Sequence, residues 1–144
     1  MFTPLNLPNA PLKITEKDQK LYVTCLLRKK QLVLTPEEWV RQHVVNYLIA
    51  YKSLAKGRLA LEVNLKVNSL SKRADIVYYD ETLQPQLVVE CKAPDVKLTS
   101  ETDFQIATYN SQLNSKFLLI SNGLDHFIFE NQKGSLVPLD DLPG

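Results

Sequence analysis

Residues 59–94 read LALEVNLKVNSLSKRADIVYYDETLQPQLVVECKAP, and three strands can be traced in them. Leu59, Leu61, Val63, Leu65 and Val67 alternate with Glu62, Asn64 and Lys66. Strand side chains point alternately to opposite faces, so this pattern predicts a strand with one face buried. Asn68 to Ser71 turn the chain, and Ala74 to Tyr79 make the second strand. A turn-rich link from Asp80 to Pro85 leads to the third, Gln86 to Lys92, which Pro94 ends. Leu87, Val88 and Val89 call for burial, yet this strand closes on Glu90-Cys91-Lys92. Buried charges are costly unless they are paired or bound to a metal. That tension points to chemistry at the strand end.

Upstream, Thr35 is a good N-cap, Pro36 suits the first helical position, and Glu38 completes a Thr-x-x-Glu capping box. Val40, Val44, Tyr47, Leu48 and Tyr51 recur at helical spacing and mark a buried face, with Lys56-Gly57 closing the helix. Before it, Leu21 to Leu27 and Gln31 to Leu34 suit an irregular hairpin, and residues 1–19 an arm over the surface. Downstream, Ser100 to Leu113 reads as a second helix, Lys116 to Ser121 as an apolar strand, and Asn122-Gly123 as a tight turn into a last strand near Asp125 to Glu130. The order is helix, three strands, helix, strand, strand. The first three strands can make an antiparallel meander and the second helix a crossover, so the fold class is α/β, a mixed β-sheet flanked by helices. One domain is expected over residues 1–144, with a core at 20–131 and a C-terminal tail at 132–144.

Glu90 and Lys92 project to one side of their strand, about 7 Å apart. Asp75 lies fifteen residues before Glu90, and the antiparallel connection can bring it alongside. Two convergent carboxylates make a hard oxygen site suited to Mg²⁺ or Mn²⁺. A lysine beside such a site can position an attacking water or stabilise charge on a phosphate. Lys72 and Arg73 precede the aspartate and could touch a phosphate. Gln105 and Tyr109, four apart on the second helix, share a face.

Arg73-Ala74-Asp75-Ile76-Val77 followed by Val88-Val89-Glu90-Cys91-Lys92-Ala93-Pro94 resembles the N-terminal nuclease domain of type I restriction enzyme R subunits, a branch of the PD-(D/E)XK superfamily. The resemblance extends to Thr35 through Gln42, to Gln105-Ile106-Ala107-Thr108-Tyr109 and to Ser121-Asn122-Gly123, and so spans roughly residues 30–130. It implies a restriction-endonuclease-like αβββαβ core and a magnesium-dependent phosphodiesterase using Asp75, Glu90 and Lys92. Ala74 stands where the superfamily usually has proline. A further carboxylate is implied on the first helix. Glu38 fits the resemblance, whereas Glu37 lies closer to the Val40/Val44/Leu48 face at 100° per residue, and both are kept. Arg41, one turn on, could pair with either or face a phosphate. Gln105 and Tyr109 match the Q-x-x-x-Y element implied to contact DNA or order the catalytic groups.

Composition sets bounds on this reading. Seventeen Lys and Arg against sixteen Asp and Glu leave a net charge of +1, so the chain lacks the basic excess of a dedicated DNA binder. A non-catalytic nucleic-acid-binding or assembly module that keeps the fold is therefore the competing expectation. Cys25 and Cys91 form no ligand cluster and read as buried thiols in a reducing compartment. His43 reads as a helix-surface residue and His126 as a strand residue. No apolar run approaches a membrane span, and the proline-bearing N-terminus lacks the pattern of a secretory signal, so the expected location is the cytoplasm. The expected partners are DNA and, by the resemblance, motor or specificity subunits. A homodimer fits cleavage of both strands, since one such site cuts one strand.

Overall fold

The computed structural model of the chain describes residues 2–67, 70–99, 114–133 and 135–142. Two antiparallel hairpins open the fold. Strand β1 (Ile14–Lys17) pairs with β2 (Lys20–Thr24), which pairs with β3 (Gln31–Val33), giving a three-stranded sheet in the order β1-β2-β3. Part of the segment expected to be an arm is thus a strand. The β1–β2 turn is Asp18-Gln19, with φ of 52° and 67°. Positive φ at both central residues is the type I′ pattern of a two-residue hairpin, and the usual glycine signal for it is missing from the sequence.

Helix α1 spans Pro36–Ala50, and Thr35 Oγ1 accepts a hydrogen bond from Glu38 N at 3.1 Å. Val40, Val44, Val45 and Leu48 are buried, as the helical spacing predicted for three of them. The helix stops about a turn and a half earlier than expected, and Tyr51 is exposed. Ser53 turns the chain in a left-handed conformation at φ 57°, while Lys52 N and Leu54 N donate to the carbonyls of Tyr47 and Leu48. Ser53 occupies the kind of position where glycine normally ends a helix. Gly57 instead sits in a short 3₁₀ turn, Lys56–Arg58, with open space around it.

The main sheet has six strands in sequence order: β4 (Leu59–Val67), β5 (Leu70–Tyr79), β6 (Pro85–Cys91), β7 (Phe117–Ser121), β8 (His126–Gln132) and β9 (Ser135–Leu139). β4, β5 and β6 form the expected antiparallel meander. β6 and β7 are parallel, as a crossover between them requires, and β8 and β9 continue antiparallel. The helix expected over 100–113 lies outside the described residues. β9 falls within the segment expected to be a tail; Pro138 and its mixed polarity hide it, and an edge strand tolerates both.

The sheet separates two apolar clusters. Val40, Val44 and Leu48 of α1 pack with Ile76, Tyr78, Leu87, Val89 and Leu119 on one face. Ala74, Val77, Val88, Leu118, Ile120 and Phe129 make the other. β6 and β7 are therefore buried on both faces, which explains their nearly unbroken apolar runs. The N-terminal residues close one end: Leu5 packs beside Gly123, Asn6 N donates to Gly123 O at 2.8 Å, and Trp39 Nε1 donates to Thr3 O at 2.9 Å. Gly123 has φ +87°, and a Cβ there would come within 2.6 Å of Leu5.

Ser53→Gly should stabilise the domain by about 0.5–1 kcal/mol, because glycine adopts the left-handed conformation without a Cβ penalty. Urea unfolding should show a higher midpoint at unchanged slope, whereas Gly57→Ala should not lower it.

Candidate functional site

The β5–β6 register pairs Ile76 with Val89 and Val77 with Val88, and Asp75 and Glu90 are the next residue on each strand beyond the last of these pairs. Asp75 Oδ2 accepts a hydrogen bond from Cys91 N at 2.7 Å. Glu90 is buried at the end of β6. On that strand Leu87, Val89 and Cys91 belong to the helix-side cluster and Val88 to the other, so Glu90 and Lys92 follow Val88 by alternation. β5 is distorted at this level: Ile76 and Tyr78 pack on the helix side, but both Ala74 and Val77 pack on the other. On β4, Glu62 lies between Leu61 and Val63, which pair with the two neighbours of Asp75, and has φ 54° within a strand.

Burial is the largest influence on Asp75 and raises its carboxyl pKa. The Cys91 N–H bond opposes this, the negative charges of Glu90 and Glu37 add to it, and Arg41 opposes it. Asp75, Glu90, Glu37 and Arg41 therefore share one electrostatic environment. Cys91 lies in the same field; burial pushes its thiol well above the ordinary range, with the Asp75 charge adding to the shift. Neither Cys91 nor Cys25 is in a disulfide, and both are buried, as expected.

The two helix carboxylates differ from the expectation drawn from helical angles. Glu38 is the buried one and Glu37 is exposed. Glu38 bonds both Nε and Nη2 of Arg41, and Gln42 Nε2 donates to its Oε2 at 2.9 Å. Its carboxylate is therefore occupied by side chains rather than by the reciprocal half of the capping box. Burial lowers the Arg41 pKa, but the hydrogen bonds and charge of Glu38 outweigh it, and Asp75 helps, so the net shift is upward. Glu37 has no such anchor among the bonds described, yet its charge acts on both Asp75 and Cys91.

Two devices position the neighbouring backbone. Lys92 N donates to Ser121 O at 2.8 Å, and Asn122 Nδ2 donates to Val96 O at 2.8 Å, so the Ser121-Asn122-Gly123 turn holds the segment that follows β6. Asn122 Oδ1 in turn accepts from Leu124 N and Asp125 N. Gln42, fully buried, accepts from Leu26 N at 2.9 Å while donating to Glu38, which ties the small sheet to the helix. An open cleft runs between the first turn of α1, with Arg41, and Ala93 and Asp95 just beyond β6. A more enclosed cavity of about 140 Å³, lined by residues such as Leu7, Val44 and Tyr47, contains none of the candidate residues.

Arg73 pairs with Glu62 rather than standing free in solvent. The side chain of Lys72 lies outside what is described, as do Gln105 and Tyr109 altogether. His43 is buried, not on the helix surface: Nδ1 lies 2.8 Å from Trp39 O and its ring stands edge-on to Trp39. His126 bridges Ser121 Oγ and Asn6 O, a structural strap. Sequence reading missed Gln42 and Glu62. Gln42 carried no signal of its own, and Glu62 looked like one of the polar alternates of β4.

Among the described residues, no three His, Cys, Asp or Glu side chains form a ready ligand cluster for a metal. The donor set is nevertheless one of hard carboxylate oxygens, and a half-buried Asp75 facing two like charges is an environment that a divalent cation would relieve. Mg²⁺ characteristically binds through one or two carboxylates and retains several waters, so Asp75 and Glu90 suit it chemically.

The profile of the family described as type I restriction enzyme R protein N terminus matches residues 36–143. No curated protein matches the chain. No described helix is long and apolar enough to cross a membrane.

Asp75 holds its proton more tightly in the folded than in the unfolded chain, whose reference value is 3.8. Its charge therefore opposes folding above the raised pKa, and the penalty fades as pH falls through that value toward the unfolded one. Asp75→Asn should raise the melting temperature at pH 7, because the folded chain no longer carries that buried charge. The gain should disappear below about pH 4, in thermal melts without divalent metal.

Proposed function

The chain belongs to the family of type I restriction enzyme R protein N-terminal domains, and on that premise we propose that it is a metal-dependent endonuclease domain that hydrolyses phosphodiester bonds in DNA. The observation that carries this reading is that Asp75 and Glu90 end the paired stretch of two adjacent strands, with Asp75 bonded to the Cys91 N–H and within the field of Glu90, and with Lys92 two residues beyond Glu90. In this reading Asp75 and Glu90 hold Mg²⁺ or Mn²⁺, with Glu37 the helix carboxylate free to join them. The bound ion would supply a more acidic water and would offset negative charge on the scissile phosphate.

The protein's own groups supply the positioning. Cys91 N–H fixes one oxygen of Asp75, leaving its other oxygen for a ligand. Lys92, with its backbone anchored to Ser121, orients the attacking water and balances charge on the phosphate. Glu38 acts through Arg41, holding that guanidinium beside Asp75. Arg41, Arg73 and Lys72 meet the DNA backbone, and Gln105 and Tyr109 order the catalytic groups or contact DNA. The cleft beside Ala93 and Asp95 offers the phosphodiester an approach. Family membership supports work in the cytoplasm with motor and specificity subunits of a restriction system, and two-strand cleavage supports a homodimer.

Lys92→Ala and Asp75→Ala should each lower Mg²⁺- or Mn²⁺-dependent plasmid cleavage by about 10²-fold or more. Calorimetry should show Mn²⁺ binding lost in Asp75→Ala but retained in Lys92→Ala. Cleavage at wild-type rate in both variants would remove the catalytic assignment. DNA binding without divalent metal, and no cleavage with any metal, would favour a non-catalytic binding module.

A further inference from the structure

Glu62 gathers three arginines from three different elements. Arg28, in the connection between β2 and β3, places Nη2 at 2.7 Å from Oε1. Arg41 of α1 places Nη2 at 3.4 Å from the same oxygen. Arg73 of β5 bonds Oε2 through its own Nη2. Glu38 matches the charge of Arg41, which leaves Arg28 and Arg73 sharing the single charge of Glu62. Among the described residues the ion pairs of this cluster join three guanidiniums to two carboxylates, and Asp75 adds its charge beside Arg41.

Three further observations bear on what this cluster is for. Arg28 Nε is buried without a hydrogen-bond partner, although buried donors are rarely left so. The backbone of Glu62 is left-handed inside a strand, a conformation that is strained for a residue with a side chain and that concentrates at functional positions. Glu62 and Arg28 are only partly covered, at 24% and 30% exposure, and Arg73 is 62% exposed, so solvent and solutes can reach the cluster. Convergent guanidiniums recognise carboxylates and phosphates through the same paired geometry. Glu62 falls between Leu61 and Val63, whose partners on β5 are Ile76 and Ala74, the residues on either side of Asp75.

We propose that Arg28, Arg41 and Arg73 form a clamp for a DNA backbone phosphate beside the scissile one, and that Glu62 occupies this clamp as an internal anion until DNA displaces it. The identity of the occupant rests on the nuclease reading; the clamp itself rests on the arginines. The internal anion also accounts for a DNA-directed surface in a chain of net charge +1. Glu62 screens the arginines until a DNA backbone phosphate competes for them.

Binding of a labelled 20-base-pair duplex, measured by anisotropy in EDTA, separates the clamp from catalysis. Glu62→Ala should tighten binding about tenfold at low salt, and Glu62→Gln should tighten it less. Arg28→Ala or Arg73→Ala in the Glu62→Ala background should reverse the gain and reduce the slope of log K against log salt by about one each. Folded Glu62 variants that bind no tighter than wild type overturn the proposal. Wild-type protein supplies an arm independent of those variants: duplex should shift the Arg28 and Arg73 Nε–H resonances, and their silence overturns it equally. Shifts with inorganic phosphate but not with duplex would reject the DNA assignment. Should Asp75→Ala cleave like wild type, the nuclease reading fails while the tightening by Glu62→Ala still reports on the clamp. Should Asp75 be essential while Glu62 variants bind unchanged, only the clamp fails.

Discussion

Strand β6 is buried on both faces and still ends in a carboxylate, and the surrounding structure is arranged around that conflict. Fully burying a valine or leucine yields about 1.5–3 kcal/mol, so the apolar run of Leu87, Val88 and Val89 holds the strand firmly between two packed layers. The same packing removes the water that would otherwise solvate Glu90 and Asp75. Their charges must then be answered by nearby dipoles and cations. Cys91 N–H answers Asp75 directly, and Arg41 answers it from the helix. The raised proton affinity of Asp75 shows that these answers are incomplete, which is the condition that favours a bound cation.

Arg41 links two charge systems that would otherwise be separate. On one side lie the carboxylates of Asp75, Glu90 and Glu37; on the other lies Glu62 with its ring of guanidiniums. Glu38 pins Arg41 between them, and Gln42 connects Glu38 to the loop after β2. The small N-terminal sheet is therefore more than a cover for the core. Its β2–β3 connection delivers Arg28 to the far end of the network. The Ser121-Asn122-Gly123 turn does a comparable job for the segment carrying Lys92, through hydrogen bonds that bridge the two parallel strands.

Much of this could be read from the chain before any coordinates. Period-two alternation located β4, the Thr35-Pro36 pair located the start of α1, and Asn122-Gly123 located the last turn before β8. Counting along the antiparallel connection also brought Asp75 and Glu90 to the same end of β5 and β6, just beyond their last paired residues. Two of the departures share a cause. Ser53 ends α1 and Asp18-Gln19 closes a hairpin, each in a left-handed conformation for which the sequence offers no glycine. Tertiary packing selects such conformations against local preference, so local pattern cannot report them.

What the sequence by itself determined is whatever depends on periodicity and local backbone chemistry: the strand meander, the helix start, the arrival of Asp75 and Glu90 at one end of two adjacent strands, and the family pattern. The tertiary structure alone decided which charges meet. Helical angles put Glu37 nearer the core, but Glu38 is the buried one and is held by Arg41 and Gln42. Arg28 and Glu62 are 34 residues apart, and alternation marked Glu62 only as a polar side chain. Electrostatic partners are chosen through space, by distance and by the loss of water around them, and neither quantity is written in the order of residues along a chain.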